Sequence, residues 1–211
     1  MATIFSDNFN SYTNGDLNGQ GSWSGSVAFD VQGTTTYEGA KAVQGDSNAN
    51  IDKVGTGVTP GSISVYIRSN KTTVQLGLHL KEGANLKIFF DLMANGNIQY
   101  RNPDSTWTTV LASYAADTWY NLQIEWRNSG VDSEVRYRVD SGSWTAWVAP
   151  FVDWTTNLDT VRLETWDVVA GFIGYYDNIS EIVNLVSVTE PTTLSEIATH
   201  KANYYKSFTE R

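Results

Sequence analysis

Apolar and polar residues alternate along most of this chain, and a period of two is the pattern of β-strands that bury one face. In the segment "GSISVYIRS", Ile63, Val65 and Ile67 fall on one face, whereas Tyr66 and Arg68 fall on the other. The segments "TVQLGLHLK", "TWYNLQIEWRNSG", "SEVRYRVDSGSWTAWV" and "DTVRLETWD" repeat the alternation, and "AGFIGYYDNISEIV" closes the series. The pattern therefore predicts strands over most of the chain, each with one face toward a core.

Short turns rich in Gly, Asn, Asp and Ser separate these segments. "LKIFFDLMANGNIQYR" predicts a hairpin, because Asn95 and Gly96 tolerate the positive φ angles of a tight turn. Roughly a dozen strands follow from the pattern, at a spacing typical of a sandwich or barrel. Because each strand has one apolar face, the sequence predicts an all-β fold of two antiparallel sheets packed face to face.

The C-terminal residues have a different pattern. Thr193 and Glu196 match a helix capping box. The apolar residues that fall near one helical stripe are Leu194, Ile197, Tyr204 and Phe208. The sequence therefore predicts a β-domain at 1–185, a linker at 186–192 and an appended helix at 193–211. Such a helix either folds back on its own domain or docks on a partner or neighbouring subunit, because its stripe needs a surface to cover it.

Composition excludes several classes of protein. The hydrophobic content of 41% and the aromatic content of 13% exclude a disordered chain. The net charge is −9 and no Lys/Arg cluster occurs, which argues against nucleic acid as a partner. The sequence contains no stretch of about 18 apolar residues, so it predicts no membrane-spanning helix. Without cysteine, the chain has no disulfide, catalytic thiol or zinc thiolate site.

The order of several segments resembles the concanavalin A-like (laminin-G-like) lectin and glucanase jelly-roll family. "FSDNFNSYTNGDLNGQGSW" is similar to the acidic-plus-aromatic first strand and the glycine-rich loop that open such domains. "YEGAKAVQG", "ADTWYNLQIEW" and "GYYDNIS" resemble later segments, in the expected order from residue 4 to about residue 183. The resemblance implies a jelly-roll sandwich of one concave and one convex sheet, a fold shared by lectins, carbohydrate-binding modules, glycosidases and lyases. The fold alone does not choose among them.

The sequence favours a protein without catalytic activity. Family members that hydrolyse β-glucans carry Glu-x-Asp-x-x-Glu on one strand, which places the nucleophile and the acid on one face. Here the nearest string, "LETWD", separates Glu164 and Asp167 by three positions and so places them on opposite faces. Family members that cleave polyuronates use Arg, Gln, His and Tyr; Gln75 and His79 share a strand face here, but the rest of that signature is missing. An atypical polysaccharide lyase or glycoside hydrolase remains an alternative.

The polar strand faces combine rigid aromatic rings with hydrogen-bonding groups, as polar ligands such as sugars require. The candidate ligand-binding residues are Tyr66, Arg68, Gln75, His79, Gln99, Arg101 and Trp166. Solvated strand faces with cross-strand charge pairs would give the same list. Trp107, Trp144 and Trp147 lie near turns and are either platforms for a ligand or lids over the edges of the core.

The resemblance also implies a structural calcium ion that joins the first strand, a Tyr/Gly turn and the last strand. The matching positions are Asp7, the carbonyl of Gly39, and Asp177, and calcium prefers such oxygen ligands. The alternative is that Asp7 and Asp177 cap turns.

Together, these features predict a non-catalytic domain that binds a glycan or polysaccharide. The N-terminus shows no signal peptide, so we expect cytosolic synthesis and, by analogy with similar domains of phage virions, a role in capsid decoration or in a tail. The C-terminal helix would mediate self-association or contact another virion protein. A secreted bacterial carbohydrate-binding module or lectin is the alternative setting.

Overall fold

The computed structural model describes residues 3–129, 132–166 and 169–182, and these contain fourteen β-strands and no helix. The strands are β1 Gly15–Asp16, β2 Trp23–Gly25, β3 Phe29–Gln32, β4 Ala42–Gly45, β5 Ala49–Val58, β6 Gly61–Ser69, β7 Gln75–Glu82, β8 Asn85–Leu92, β9 Ile98–Arg101, β10 Trp107–Leu111, β11 Trp119–Ser129, β12 Asp132–Val139, β13 Leu158–Trp166 and β14 Gly174–Ser180. In this part of the chain, no helix is long and apolar enough to cross a membrane.

The strands form two seven-stranded antiparallel sheets. The first sheet has the order β1-β3-β4-β14-β6-β11-β12, and the second has the order β10-β9-β8-β7-β13-β5-β2. Most neighbours are distant in sequence, so the chain crosses repeatedly between the sheets, as in a jelly roll. The predicted two-sheet β-sandwich is confirmed. The helix predicted at 193–211 and the linker before it lie outside the described residues.

The core lies between the two sheets and is built by the alternation seen in the sequence. Ile63, Val65 and Ile67 of β6 are fully buried and pack in the same cluster as Leu76 and Leu78 of β7. The polar residues between them face outward from their own sheet. Each strand therefore gives one row to the core and one row to an outer face, and the outer faces carry the candidate sites.

Two polar side chains cross the core and tie the sheets together. The hydroxyl of Tyr176, in the first sheet, donates to the carbonyl of Glu164 in the second sheet at 2.6 Å. The indole of Trp126, also in the first sheet, donates to the carbonyl of Val58 in the second at 2.9 Å. Both donors are thus satisfied where water cannot reach them, which avoids the cost of a buried unpaired group.

The predicted hairpin joins β8 to β9. Gly96 has a φ of 81°, and the amide of Met93 donates to the carbonyl of Asn97 at 2.8 Å. The opening loop is also ordered by its own polar groups, as the amide of Asn18 donates to the side chain of Asp16 at 2.8 Å. The loop ends on Trp23, which is buried in the core.

Candidate functional site

A buried ionic cluster lies on the outer face of the second sheet. Nε2 of His79 is 2.8 Å from Oδ1 of Asp91, and Nδ1 of His79 is 3.2 Å from Oε2 of Glu164. The amide of Gln75 donates to the other oxygen of Asp91 at 2.7 Å. His79 is 2% exposed and Asp91 is 0% exposed, although outer-face residues normally meet solvent.

The absence of a side chain at Gly77 makes this cluster possible. In the strand register, Gly77 of β7 pairs with Asp91 of β8 on one side and with Glu164 of β13 on the other. His79 lies two residues along the same strand and therefore faces the same side as Gly77. Its imidazole leans over Gly77 and reaches the carboxylate on each neighbouring strand.

The charges of the cluster extend across the sheet. Arg162 lies 3.6 Å from Glu164 and donates to Asp52 at 2.7 Å, and Lys81 donates to Asp52 at 2.6 Å. Burial disfavours the charged form of His79, but the charges and hydrogen bonds of Asp91 and Glu164 outweigh burial and raise the pKa of His79 to about 9. At neutral pH the side chain is therefore an imidazolium.

A small cavity opens beside this cluster, with a volume of about 190 Å³. Its lining residues are Gln75, His79, Phe89, Arg101, Trp107 and Trp166. The ring of Phe89 packs 4.5 Å from that of His79, centroid to centroid, and edge-to-face against Phe151 at 5.0 Å. Phe151 belongs to the connection between β12 and β13, so this connection packs against a ring that lines the cavity.

Trp166, at the end of β13, separates this cavity from a second hollow of about 240 Å³. The second hollow is lined by Asn48, Ala49, Asn50, Glu164, Thr165 and Trp166. Trp166 is 49% exposed, and among the described aromatic residues only Tyr37, at 45%, is comparably exposed. An exposed ring thus stands between two hollows that contain amide, carboxylate and guanidinium groups.

The structure divides the ligand-binding residues predicted from the sequence between two faces. Gln75, His79, Arg101 and Trp166 line the cavity on the second sheet, as just described. Gln99 is on the same sheet but is buried, and it donates to Thr109 of β10 at 2.8 Å.

The two remaining predicted residues lie on the first sheet. Tyr66 and Arg68 belong to β6, so the sandwich separates them from the other five. Arg68 pairs with Asp117 at 2.6 Å. The alternation of apolar and polar residues in the sequence shows that a residue faces away from the core. It does not show which of the two sheets contains that residue.

Tyr66 lines a cavity of about 540 Å³ on the outer face of the first sheet. The cavity residues are Tyr37, Tyr66, Trp119, Asn121, Arg138, Asp140 and Ser141. The ring of Tyr37 stacks on that of Tyr66 at a centroid distance of 3.5 Å, and burial raises the pKa of Tyr66 to about 12. The alternating pattern does not point to Tyr37, because this residue precedes β4 in a turn rather than lying in a strand.

Trp144 and Trp147 pack against arginines of the first sheet. The guanidinium carbon of Arg136 lies 4.7 Å from both indole rings, and that of Arg127 lies 4.0 Å from Trp147. Arg138 adds a contact of 4.4 Å to Trp144. The two indoles therefore cover the edge of the sheet through cation–π contacts. Trp107, by contrast, lines the cavity of the second sheet.

The carboxylate of Asp7 is already compensated by protein groups. Oδ2 accepts hydrogen bonds from Tyr12, Trp23 and Lys53 at 2.6, 2.9 and 2.7 Å, and Oδ1 accepts one from the amide of Phe9 at 3.0 Å. One of these four donors is the ammonium of Lys53, so the carboxylate already has a cation beside it. Asp7 therefore does not fit the predicted calcium site in this arrangement.

Asp177 is also surrounded by donors. Its oxygens accept hydrogen bonds from the amides of Tyr37, Glu38 and Asn178 at 2.8, 3.0 and 2.7 Å. Burial raises the pKa of Asp177, and these amides oppose that effect. The described part of the chain holds no group of three or more His, Asp or Glu side chains placed to bind a metal ion. Calcium binding with the Gly39 carbonyl stays a prediction.

Comparison with known proteins identifies the fold. No protein-family model matches the sequence, and no curated protein matches it significantly. Solved structures do match: a sialidase has a TM-score of 0.65 at 11% identity over 100% of this chain and 21% of the sialidase chain. This chain therefore spans about a fifth of the length of that protein.

Two further structures match over nearly their whole length. The Bacillus licheniformis beta-glucanase has a TM-score of 0.53 at 11% identity, over 83% of this chain and 95% of its own. The T. cruzi calreticulin globular domain has a TM-score of 0.52 at 11% identity, over 93% of this chain and 98% of its own. The fold is the concanavalin A-like jelly roll. Identities this low show the fold and do not decide between enzymes and binding proteins.

Proposed function

We propose that this protein is a non-catalytic carbohydrate-binding domain, and that its binding site is the part of the second sheet around Trp166. The observation that carries the proposal is the half-exposed ring of Trp166 standing between two hollows lined by hydrogen-bonding side chains. We name this region the Trp166 site; it consists of the two hollows and their lining residues.

Sugars present two kinds of surface, and the Trp166 site offers a partner for each. The C–H face of a pyranose is apolar and stacks on an aromatic ring, whereas its hydroxyls need planar hydrogen-bonding groups. Trp166 supplies the ring, and Gln75, Asn50 and Arg101 supply amide and guanidinium groups beside it. The hollows lie on both sides of the ring, so a chain of sugars could contact both.

The state of the two carboxylates supports the absence of catalysis. Asp91 is fully buried and accepts hydrogen bonds from Gln75 and His79. Glu164 is 7% exposed and faces the same imidazole. A glycosidase needs one carboxyl group to attack or activate water and another to donate a proton to the leaving oxygen. Here both carboxylates face one imidazolium and Asp91 has no exposed surface, so the pair lacks one of the two groups that this mechanism needs.

The proposal is tested by glycan-array binding of Trp166→Ala and Tyr37→Ala. The two rings are similarly exposed, at 49% and 45%, but lie on opposite faces of the sandwich. We expect Trp166→Ala to weaken binding by 10-fold or more, about 1.4 kcal/mol or greater, and Tyr37→Ala to change it little. Loss of binding in Tyr37→Ala alone would move the site to the first sheet. Binding to no glycan by the wild-type protein would contradict the proposed function.

Catalysis is tested separately by incubating the protein with β-glucans and polyuronates. We expect no release of reducing ends and no unsaturated product. Product formation that disappears in Glu164→Gln or Asp91→Asn would establish a hydrolase or lyase instead.

For the biological setting, we propose a surface component of a phage virion, supported by analogy with similar domains. A secreted bacterial lectin is the alternative. Assembly would depend on the C-terminal segment 193–211, in which Leu194 and Ile197 belong to the predicted apolar stripe. We expect Leu194→Asp combined with Ile197→Asp to reduce the mass of the assembly that this chain forms in solution. An unchanged mass would contradict assembly through this segment.

A further inference from the structure

Among the described residues, the charged side chains on the outer face of the second sheet form ion pairs, with one exception. His79 lies between Asp91 and Glu164, and the pairs Arg162–Asp52, Lys81–Asp52 and Lys87–Glu82 are also in contact. In the cluster around His79, the three acidic groups Asp52, Asp91 and Glu164 balance the three basic groups His79, Lys81 and Arg162. The exception is Arg101, at the end of β9.

Arg101 is held by aromatic rings rather than by a carboxylate. Its guanidinium carbon lies 4.3 Å from the ring centroid of Phe151, 5.3 Å from that of Phe89 and 5.9 Å from that of Trp107. The guanidinium forms no ion pair or hydrogen bond with a described residue, and its buried Nε has no partner. Aromatic faces stabilise the cation, but they leave the planar set of N–H donors unused.

The unused N–H donors of a fixed guanidinium can bind an anionic ligand. A guanidinium presents donors in a fork that matches a carboxylate, and a charge-assisted pair of this kind is stronger than a neutral hydrogen bond. Holding the group in place by three rings removes part of the entropy cost of binding, because the side chain is already ordered. His79 does not compete for the anion, since two carboxylates already flank it.

Arg101 lines the same cavity as Trp166. At about 190 Å³, the cavity is smaller than the roughly 300–1,000 Å³ of pockets for whole small ligands. It therefore suits one sugar unit of a longer chain, with the ring on Trp166 and a substituent directed to Arg101.

We propose that the Trp166 site selects glycans that carry a carboxylate, and that Arg101 is the residue that binds this group. The proposal rests on the proposed function, because it names the class of glycan that the same site takes. Sulfated glycans present a similar anion and are distinguished by the experiment.

The experiment measures the affinity of the full chain for oligogalacturonate and oligoglucuronate, each compared with its carboxyl-reduced, neutral counterpart. Sulfated oligosaccharides and their desulfated forms make a second arm. The variants are Arg101→Gln, which removes the charge, and Arg101→Lys, which keeps the charge without the fork. Arg127→Gln is the matched control, because Arg127 is also an arginine packed on an indole, but on the opposite sheet. Thermal melting confirms that each variant is folded.

We expect the wild-type protein to bind at least one uronate 10-fold or more tightly than its reduced form. Arg101→Gln should lower this ratio to near one, Arg101→Lys should retain part of it, and Arg127→Gln should leave it unchanged. Equal binding of acidic and neutral forms would overturn the proposal and leave the proposed function standing. A preference that survives in Arg101→Gln, or one seen for sulfated glycans alone, would also overturn it. Binding to no glycan would overturn the proposed function as well.

Discussion

A Cβ atom on Gly77 would lie 1.7 Å from Oδ1 of Asp91, which is much closer than two non-bonded atoms can approach. It would also lie 3.0 Å from Nε2 of His79. The buried ionic cluster therefore depends on the one position in β7 where a side chain is missing. Because Asp91 and Glu164 pair with Gly77 from the two neighbouring strands, the imidazole can lie over Gly77 and contact both carboxylates.

The substitution Gly77→Ala tests this relationship. We expect it to destabilise the protein by about 2–4 kcal/mol, because the added methyl displaces Asp91 and separates the buried charges. Gly57→Ala is the control, since Gly57 is also in a strand of this sheet and its added Cβ would meet nothing closer than 3.1 Å. Urea unfolding measures both. Equal and small effects of the two substitutions would contradict the proposed role of Gly77.

The second prediction concerns the pH dependence of stability. The pKa of His79 is raised to about 9 in the folded protein, against about 6.5 for an unfolded histidine. A raised pKa contributes stability that is fully present below about pH 6.5 and is lost as the pH rises through about 9. We expect this contribution to be on the order of 3 kcal/mol.

The measurement compares the free energy of unfolding of wild type and His79→Gln between about pH 6 and about pH 9.5. Other groups also titrate in this interval. Their contribution to the free energy of unfolding cancels when the wild type is compared with the variant. The variant is expected to be less stable at neutral pH, because Asp91 and Glu164 lose the charge between them. The difference between the two proteins should shrink as the pH rises. A constant difference would show that His79 is not an imidazolium at neutral pH.

The third prediction compares two buried tyrosines that differ in their hydrogen bonding. Tyr176 donates to the carbonyl of Glu164, whereas the hydroxyl of Tyr137 is buried without a partner among the described residues. We expect Tyr176→Phe to destabilise the protein by about 1–2 kcal/mol, since it removes a satisfied hydrogen bond. Tyr137→Phe should be neutral or stabilising, because it removes an unpaired buried hydroxyl. Chemical unfolding gives both values. A larger loss of stability for Tyr137→Phe than for Tyr176→Phe would contradict the view that the Tyr137 hydroxyl is unpaired.

The fourth prediction concerns calcium. The carboxylate of Asp7 has Lys53 as its cation at 2.7 Å, so we expect a chelator to leave the melting temperature unchanged. The variant Lys53→Met should lower the melting temperature, because Asp7 then keeps a largely buried charge without a counter-ion. A melting temperature that falls with chelator and recovers with added calcium would support the calcium site predicted from the sequence.

Much of the fold could be predicted from the alternation of apolar and polar residues. The segments that became β6, β7, β8, β9, β11, β12 and β13 were all visible as strands, and so was the hairpin at Asn95 and Gly96. The reason is physical: in a sandwich, burial is decided residue by residue along each strand, so the local pattern records which face meets the core.

The site was predictable only in part. Gln75 and His79 share a face because they are four residues apart on one strand, and this followed from the sequence. The sequence did not show that Asp91 and Glu164 flank Gly77. The strand β13 lies far along the chain from β7, so the register between these two strands is a long-range pairing. The sequence also grouped Tyr66 and Arg68 with residues that the sandwich places on its opposite face.

The sequence by itself determined the strands, their buried rows and the β-sandwich class, since each of these depends on local burial. Tertiary structure alone decided which polar residues meet. It brought His79 between two carboxylates and set Trp166 between two hollows. It also placed Arg101 among aromatic rings, with no counter-ion in the described part of the chain. These relationships depend on strand order and register, which are set by how the whole chain packs rather than by any one segment.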